Sequence, residues 1–119
     1  MTKEAALNKF FNTFMKAYPN TNVPDDAAYP YMTYSVQDGT FDTITSATVQ
    51  MWFKTDSEAE PNRKAKELKE TLSHGGKIIL FDGGGAWLVP GTPWCVNATA
   101  RDDKTIKLRQ INIEVNHLG

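Results

Sequence analysis

Residues 45–54, TSATVQMWFK, alternate strictly. Ala47, Val49, Met51 and Phe53 fall on one side, and Thr48, Gln50, Trp52 and Lys54 on the other. A period of two belongs to a β-strand, and a strand with one wholly apolar face must lie in a sheet whose apolar face is covered. The chain offers two covers. Leu7, Phe10, Phe11, Phe14, Met15 and Tyr18 recur in steps of three and one, the spacing of one helix face, with Thr2 as its cap and Pro19 as its stop. The second helix is SEAEPNRKAKELKETLSHGG, residues 57–76. Ser57 and Glu60 have capping-box spacing, Pro61 falls in the first turn, and Gly75-Gly76 supplies the C-cap. Its inward stripe of Ala65, Leu68 and Leu72 is narrow, so this helix is expected to lie over a sheet face from outside and to cover Trp52.

PNTNVPDDA (19–27) is turn chemistry, and YPYMTYSVQ alternates as a strand, with Met32, Tyr34 and Val36 against Tyr31, Thr33 and Ser35. Pro30 fits only the beginning of that strand or a sheet edge. Asp38-Gly39 makes a turn, so the two strands form an antiparallel hairpin or meander. In the last third, KIILF (77–81) and AWLV (86–89) flank three glycines, while CVNATA (95–100) and TIKLRQINIEV (105–115) flank the polar turn RDDK. Parity changes between Ile106/Leu108 and Ile111/Ile113/Val115, which predicts a bulge or a strand buried on both faces. The expected fold is a single α+β domain over residues 1–119. A mainly antiparallel, mixed sheet carries two packed helices in the order α-β-β-α-β-β-β. Leu7, Phe10, Phe14, Val49, Met51, Phe53, Leu68, Leu72 and Ile113 are expected to share its core.

No motif for chemistry emerges. Gly83-Gly84-Gly85 is followed by Ala86-Trp87-Leu88, with neither the Lys-Ser/Thr pair of a phosphate cradle nor a helical pattern. The glycines read instead as a mobile hairpin tip that binds no nucleotide. Cys95, the one cysteine, forms no intrachain disulfide, and His74 and His117 lie in no catalytic or metal-ligand spacing with it. Asp25-Asp26 and Asp102-Asp103 read as solvated turn residues. No enzyme, metal or cofactor is expected. The net charge of -1 gives no general attraction to nucleic acid or anionic lipid, and no apolar run approaches the roughly 20 residues of a membrane span. MTKEAALNKFF reads as an amphipathic helix and not as a signal peptide, which places the chain in a reducing cytoplasm. The aromatics remain. Trp87 and Trp94 flank a proline-rich bend, and either fill the core or anchor a protein contact.

The order and texture of VPDDAAYPYMTYSV, ATVQMWFKTDSEAEPNRKAKELKETL, GGKIILFDGGGAWLVPGTPW and IKLRQINIEV, which span nearly the whole chain, resemble a known family. These are the tail terminator, or tail-completion, proteins of long-tailed siphovirus-type bacteriophages and prophages, some of them described as minor capsid or head-tail joining proteins. Tyr29-Pro30-Tyr31 and Gly83-Gly84-Gly85-Ala86-Trp87 carry most of the likeness. The resemblance implies a structural virion-assembly protein and no catalytic residues. It would be a hexameric ring on the head-proximal end of the tail tube, stopping elongation and presenting the head-joining face. Its partners would be other copies of itself, the tail tube protein and head-completion or connector proteins. It would reside in the virion, having assembled in the host bacterial cytoplasm, and would be monomeric in dilute solution. Candidate interface residues are Tyr29, Tyr31, Gly83, Gly84, Gly85, Trp87 and Trp94. Three competing readings are a connector component on the portal side, a peptide- or ligand-binding module whose glycine loop gates a pocket of Trp87 and Trp94, and an enzyme using Cys95.

Overall fold

The computed structural model describes residues 1–37, 45–99 and 102–118. The expected Asp38-Gly39 turn and Arg101 of the RDDK turn lie outside the described residues. The elements are α1 (Lys3–Phe11), β1 (Ala17–Pro19), β2 (Tyr31–Gln37), β3 (Thr45–Lys54), α2 (Ala59–Leu72), β4 (Lys77–Phe81), β5 (Gly84–Thr99) and β6 (Ile106–Leu118). They form one domain with a six-stranded mixed sheet in the order β1-β2-β3-β6-β5-β4. Every pairing is antiparallel except β1 with β2.

The alternation of residues 45–54 sets the layering. Ala47, Val49, Met51 and Phe53 are buried, and the register places Met32 and Tyr34 beside them on β2 and Ile111, Ile113 and Val115 on β6. Leu7, Phe10 and Phe11 join this cluster from α1, Phe14 from the turn just after it, and Ala65, Leu68 and Leu72 from α2. Both helices therefore cover one face of the sheet. All nine residues expected in the core are buried in this one cluster. The described residues of the opposite face carry no helix.

Several local expectations are corrected. The first helix stops at Phe11, well before Pro19. Asn12 ends it: its side-chain amide donates to the carbonyl of Asn8, and its Oδ1 accepts from the backbone N–H of Ala17. The chain then turns back and Ala17–Pro19 pairs parallel with β2, an extra strand that the helix-like spacing concealed. Thr2 does cap α1, its hydroxyl accepting from the N–H of Ala5 at 3.1 Å. The Ser57–Glu60 capping box does not form. α2 begins at Ala59 behind Glu58, and Ser57 Oγ accepts from Ala59 N–H. α2 also ends at Leu72. Ser73 is extended, and His74, Gly75 and Gly76 follow with positive φ of 59°, 101° and 79°.

AWLV and CVNAT are parts of one long strand, β5, whose register against β6 shifts between Pro90 and Cys95. The bulge is therefore in β5, while β6 pairs with β3 without interruption from Ile106 to Val115. The parity change in β6 has another cause. Arg109 occupies the core-side position opposite Met51, and Leu108 turns to the open face opposite Trp52. Arg109 is 2% exposed. Its guanidinium donates to Glu58 and to Asn62 Oδ1 at the start of α2, and to the carbonyl of Leu108. A buried cation is tolerable only when paired and hydrogen-bonded, so this group ties the start of α2 to the sheet.

Candidate interface on the open face of the sheet

The candidate residues separate into two corners of the open face, plus one tryptophan that belongs to the core. At the first corner, β2 pairs with β3 so that Tyr31 stands opposite Trp52, their rings stacked with centroids 6.4 Å apart. Tyr18 of β1 meets Tyr31 edge-on at 6.2 Å, and Tyr29 lies 5.3 Å from Tyr31. Lys16 sits over the Tyr18 ring. Trp52 Nε1 donates to Thr33 Oγ1, which fixes the indole plane. Burial, followed by the neighbouring Tyr29, holds the Tyr31 phenol above its ordinary pKa. Tyr29 is 39% exposed at the rim of this cluster. Trp52 is thus not covered by α2: its parity is opposite to that of Met51 and Phe53, and α2 lies on their side. Tyr18, expected in the first helix, is here because that helix ends early.

The second corner is the β4–β5 hairpin. Asp82-Gly83 joins the strands, and Gly83 has φ +88°, the left-handed region that glycine supplies without cost. Gly84 opens β5 so close to β6 that a Cβ there would lie 2.7 Å from the Leu118 carbonyl oxygen. Gly85 lies within the strand, where a Cβ would crowd the carbonyl of Ile79 and the side chain of Leu80. The three glycines therefore serve a tight turn and close strand packing. Asp82 also donates its backbone N–H to the Met1 carbonyl at 2.7 Å. Around this hairpin the open face is apolar and exposed. Trp87 stands opposite Ile78, and Leu80 and Leu118 flank Gly85. Their exposures are 37%, 55%, 75% and 40% in that order. Trp87 Nε1 donates to the Gly75 carbonyl, and Gly76 leaves room for the indole.

Trp94 lies in the β5 bulge and packs, half-buried, against the core. Asn112 braces the bulge, its side-chain amide donating to the Pro93 carbonyl at 2.8 Å. Trp94 thus packs toward the core while Trp87 stands partly exposed, and no cavity is lined by both among the described pockets.

The corners are far apart. Trp52 pairs with Leu108 and Trp87 with Asn116, eight residues further along β6, which is roughly 25 Å at a strand's rise per residue. Between them runs a polar ladder in which Thr33 donates to Gln50 and Gln50 donates to Gln110. The sequence had pointed to Tyr29, Tyr31 and Trp87 but missed Tyr18, Ile78, Leu80 and Leu118. Ile78 and Leu80 sit in KIILF, an unbroken apolar run that gives no period from which to assign faces.

Cys95 is opposite Ile111 and His117 opposite Ala86, six residues away along β6. Burial raises the Cys95 thiol above its ordinary pKa, which suppresses the thiolate. Among the described residues no group of three or more His, Cys, Asp or Glu is placed to hold a metal ion. Asp103 is fixed in its turn by the N–H and hydroxyl of Thr105, which lower its pKa. Among the described residues no helix is long and apolar enough to cross a membrane. No protein-family model matches the chain, and neither a curated protein nor a solved structure matches it.

Proposed function

We propose that this chain is a structural assembly protein of a long-tailed phage. It caps the head-proximal end of the tail tube, stops elongation and presents the face on which the head docks. Two kinds of support bear on this reading. The first is the sequence resemblance described above, which runs in order along nearly the whole chain. The second is the open sheet face. A sheet with one bare face usually presents polar residues there, and an exposed apolar patch on a small domain marks a contact surface. The single observation that carries the structural half is the cluster of Ile78, Leu80, Trp87 and Leu118 beside the glycine hairpin. Trp and large aliphatic side chains at such a site are the usual anchors of protein contacts.

In this reading the glycines let the hairpin approach its neighbours closely, and Trp87 is held at the surface by its bond to Gly75. The test is deletion of the gene in the phage or prophage that carries it, with complementation in trans. Tails of abnormal length, or heads and tails that fail to join, are the expected result. Infectious particles with normal tails in the deletion strain would contradict it. Flanking genes for portal, capsid and tail-tube proteins would support the assignment at little cost.

A further inference from the structure

We propose that copies of this chain join head to tail, with the exposed loop 20–30 of one copy lying in the groove between α1 and β4 of the next. The inference deepens the assembly reading above and takes its setting from it. The groove is a shallow cavity of about 250 Å³. Phe10 and Ile79 form its apolar floor, Leu80 stands at its side, and Lys9 and Lys77 mark its rim. Both lysines are exposed, no acidic residue lines the groove, and neither lysine has an ion-pair partner among the described residues. An apolar trough flanked by two uncompensated cations selects an occupant that brings apolar side chains and carboxylates together.

The chain itself carries such a segment. Residues 20–30 read NTNVPDDAAYP, in which Val23, Ala27, Ala28 and Tyr29 accompany adjacent carboxylates at Asp25 and Asp26. Apart from the half-buried Val23 and Ala27, the whole segment is exposed. Neither aspartate has an ion-pair partner among the described residues. Backbone bonds from Asn22 N–H to the Pro19 carbonyl and from Ala27 N–H to the Pro24 carbonyl already order the loop, which lowers the entropy cost of docking it.

A second copy must supply the loop. It joins β1 to β2 at one edge of the sheet, the groove borders β4 at the other, and no residue of the loop lines the groove. Donor and acceptor at opposite edges make a heterologous contact, which propagates until it closes into a ring or a helix. One loop of eleven residues covers well under the roughly 800 Å² per partner of a stable interface. Each contact is therefore weak alone and gains when neighbours are held on a common template.

The test uses the full-length, isotope-labelled protein and a capped synthetic peptide of sequence NTNVPDDAAYP at up to millimolar concentration. Saturable amide shifts are expected at Lys9, Phe10, Lys77 and Leu80. They should be lost when the peptide carries Asp25→Lys and Asp26→Lys. A Lys9→Glu/Lys77→Glu protein should lose the response to the native peptide and regain it with the charge-reversed one; both sites are exposed, and the variant's spectrum reports its fold. No saturable shift, shifts centred away from the groove, or equal response to both peptides would each overturn the proposal. The outcome is independent of the phage deletion phenotype, so the two readings fail separately.

Discussion

Tyr31 and Trp52 stack across β2 and β3 with an interplanar angle of 18°, on the face of the sheet that no described helix covers. Offset stacking of this kind stabilises by about 0.5–1.5 kcal/mol beyond the area it buries. The pair thus supports the sheet, and its outer surface stays available. Trp52→Phe keeps the ring contact and loses the bond to Thr33, so it should cost roughly 1 kcal/mol. Trp52→Ala should cost distinctly more. Denaturant titration of the two variants checks the ordering.

The core makes a sharper demand. Leu68 is fully buried and Phe14 is 9% exposed. Leu68→Ala should destabilise by about 2–5 kcal/mol and Phe14→Ala by about 3–5 kcal/mol. Leu80→Asp, at a 75% exposed position, should change stability by no more than about 0.5 kcal/mol. Thermal melts that rank Leu80→Asp with the core variants would contradict the layering described here.

The Arg109–Glu58 contact predicts an acid limb. The guanidinium hydrogen bond lowers the folded-state pKa of Glu58 from 4.5. A depressed carboxyl pKa contributes stability that is complete above the unfolded value and is lost as pH falls through the folded one. The melting temperature should therefore drop as pH is lowered below about 4.5, with Asp103 adding to the same limb. Glu58→Gln should flatten part of that drop and leave the melting temperature near neutral pH lower than in the parent. A limb of unchanged steepness in the variant would show that the contact does not contribute.

Cys95 supplies a chemical check. Its thiol is partly buried and its pKa is raised by that burial, so alkylation by iodoacetamide at neutral pH should be slower in the folded protein than in denaturant. Faster reaction in the folded state would revive the nucleophile reading.

Much of this architecture was legible in the sequence because strict alternation and helical spacing report burial directly. TSATVQMWFK gave its strand to the residue, and Leu68 and Leu72 gave the buried face of α2. What was hidden has physical reasons. Tyr18 continues the helical spacing of α1, yet Asn12 ends that helix with side-chain bonds that no period reveals. Arg109 stands in a core position because Glu58 and Asn62 reach it from 51 and 47 residues away, a pairing that only the folded register creates. The candidate site was half legible. Tyr29, Tyr31 and Trp87 stood out as aromatics beside turn residues, whereas the unbroken apolar run KIILF gave no period from which to assign faces to Ile78 and Leu80. They are exposed because they face the side of the sheet that no described helix covers, which is a property of the fold and not of the local sequence.

Trp87 and Gly76 are coupled in a way that locates the hairpin. A Cβ on Gly76 would lie 2.5 Å from both Trp87 Nε1 and the Leu88 carbonyl oxygen, whereas one on Gly75 would meet nothing. Both glycines have positive φ. Gly75→Ala should cost about 1 kcal/mol from backbone strain alone, and Gly76→Ala clearly more. Unfolding free energies of the two variants, measured side by side, check this.

The central proposal is that this chain works by contacts at the end of a phage tail. Electron cryomicroscopy of tails purified from the phage or prophage that carries the gene tests it most directly. The account predicts a ring of this chain at the head-proximal end of the tube, with the β4–β5 hairpin and the 20–30 loop at subunit boundaries. Tails whose head-proximal end is built entirely from other proteins would contradict it.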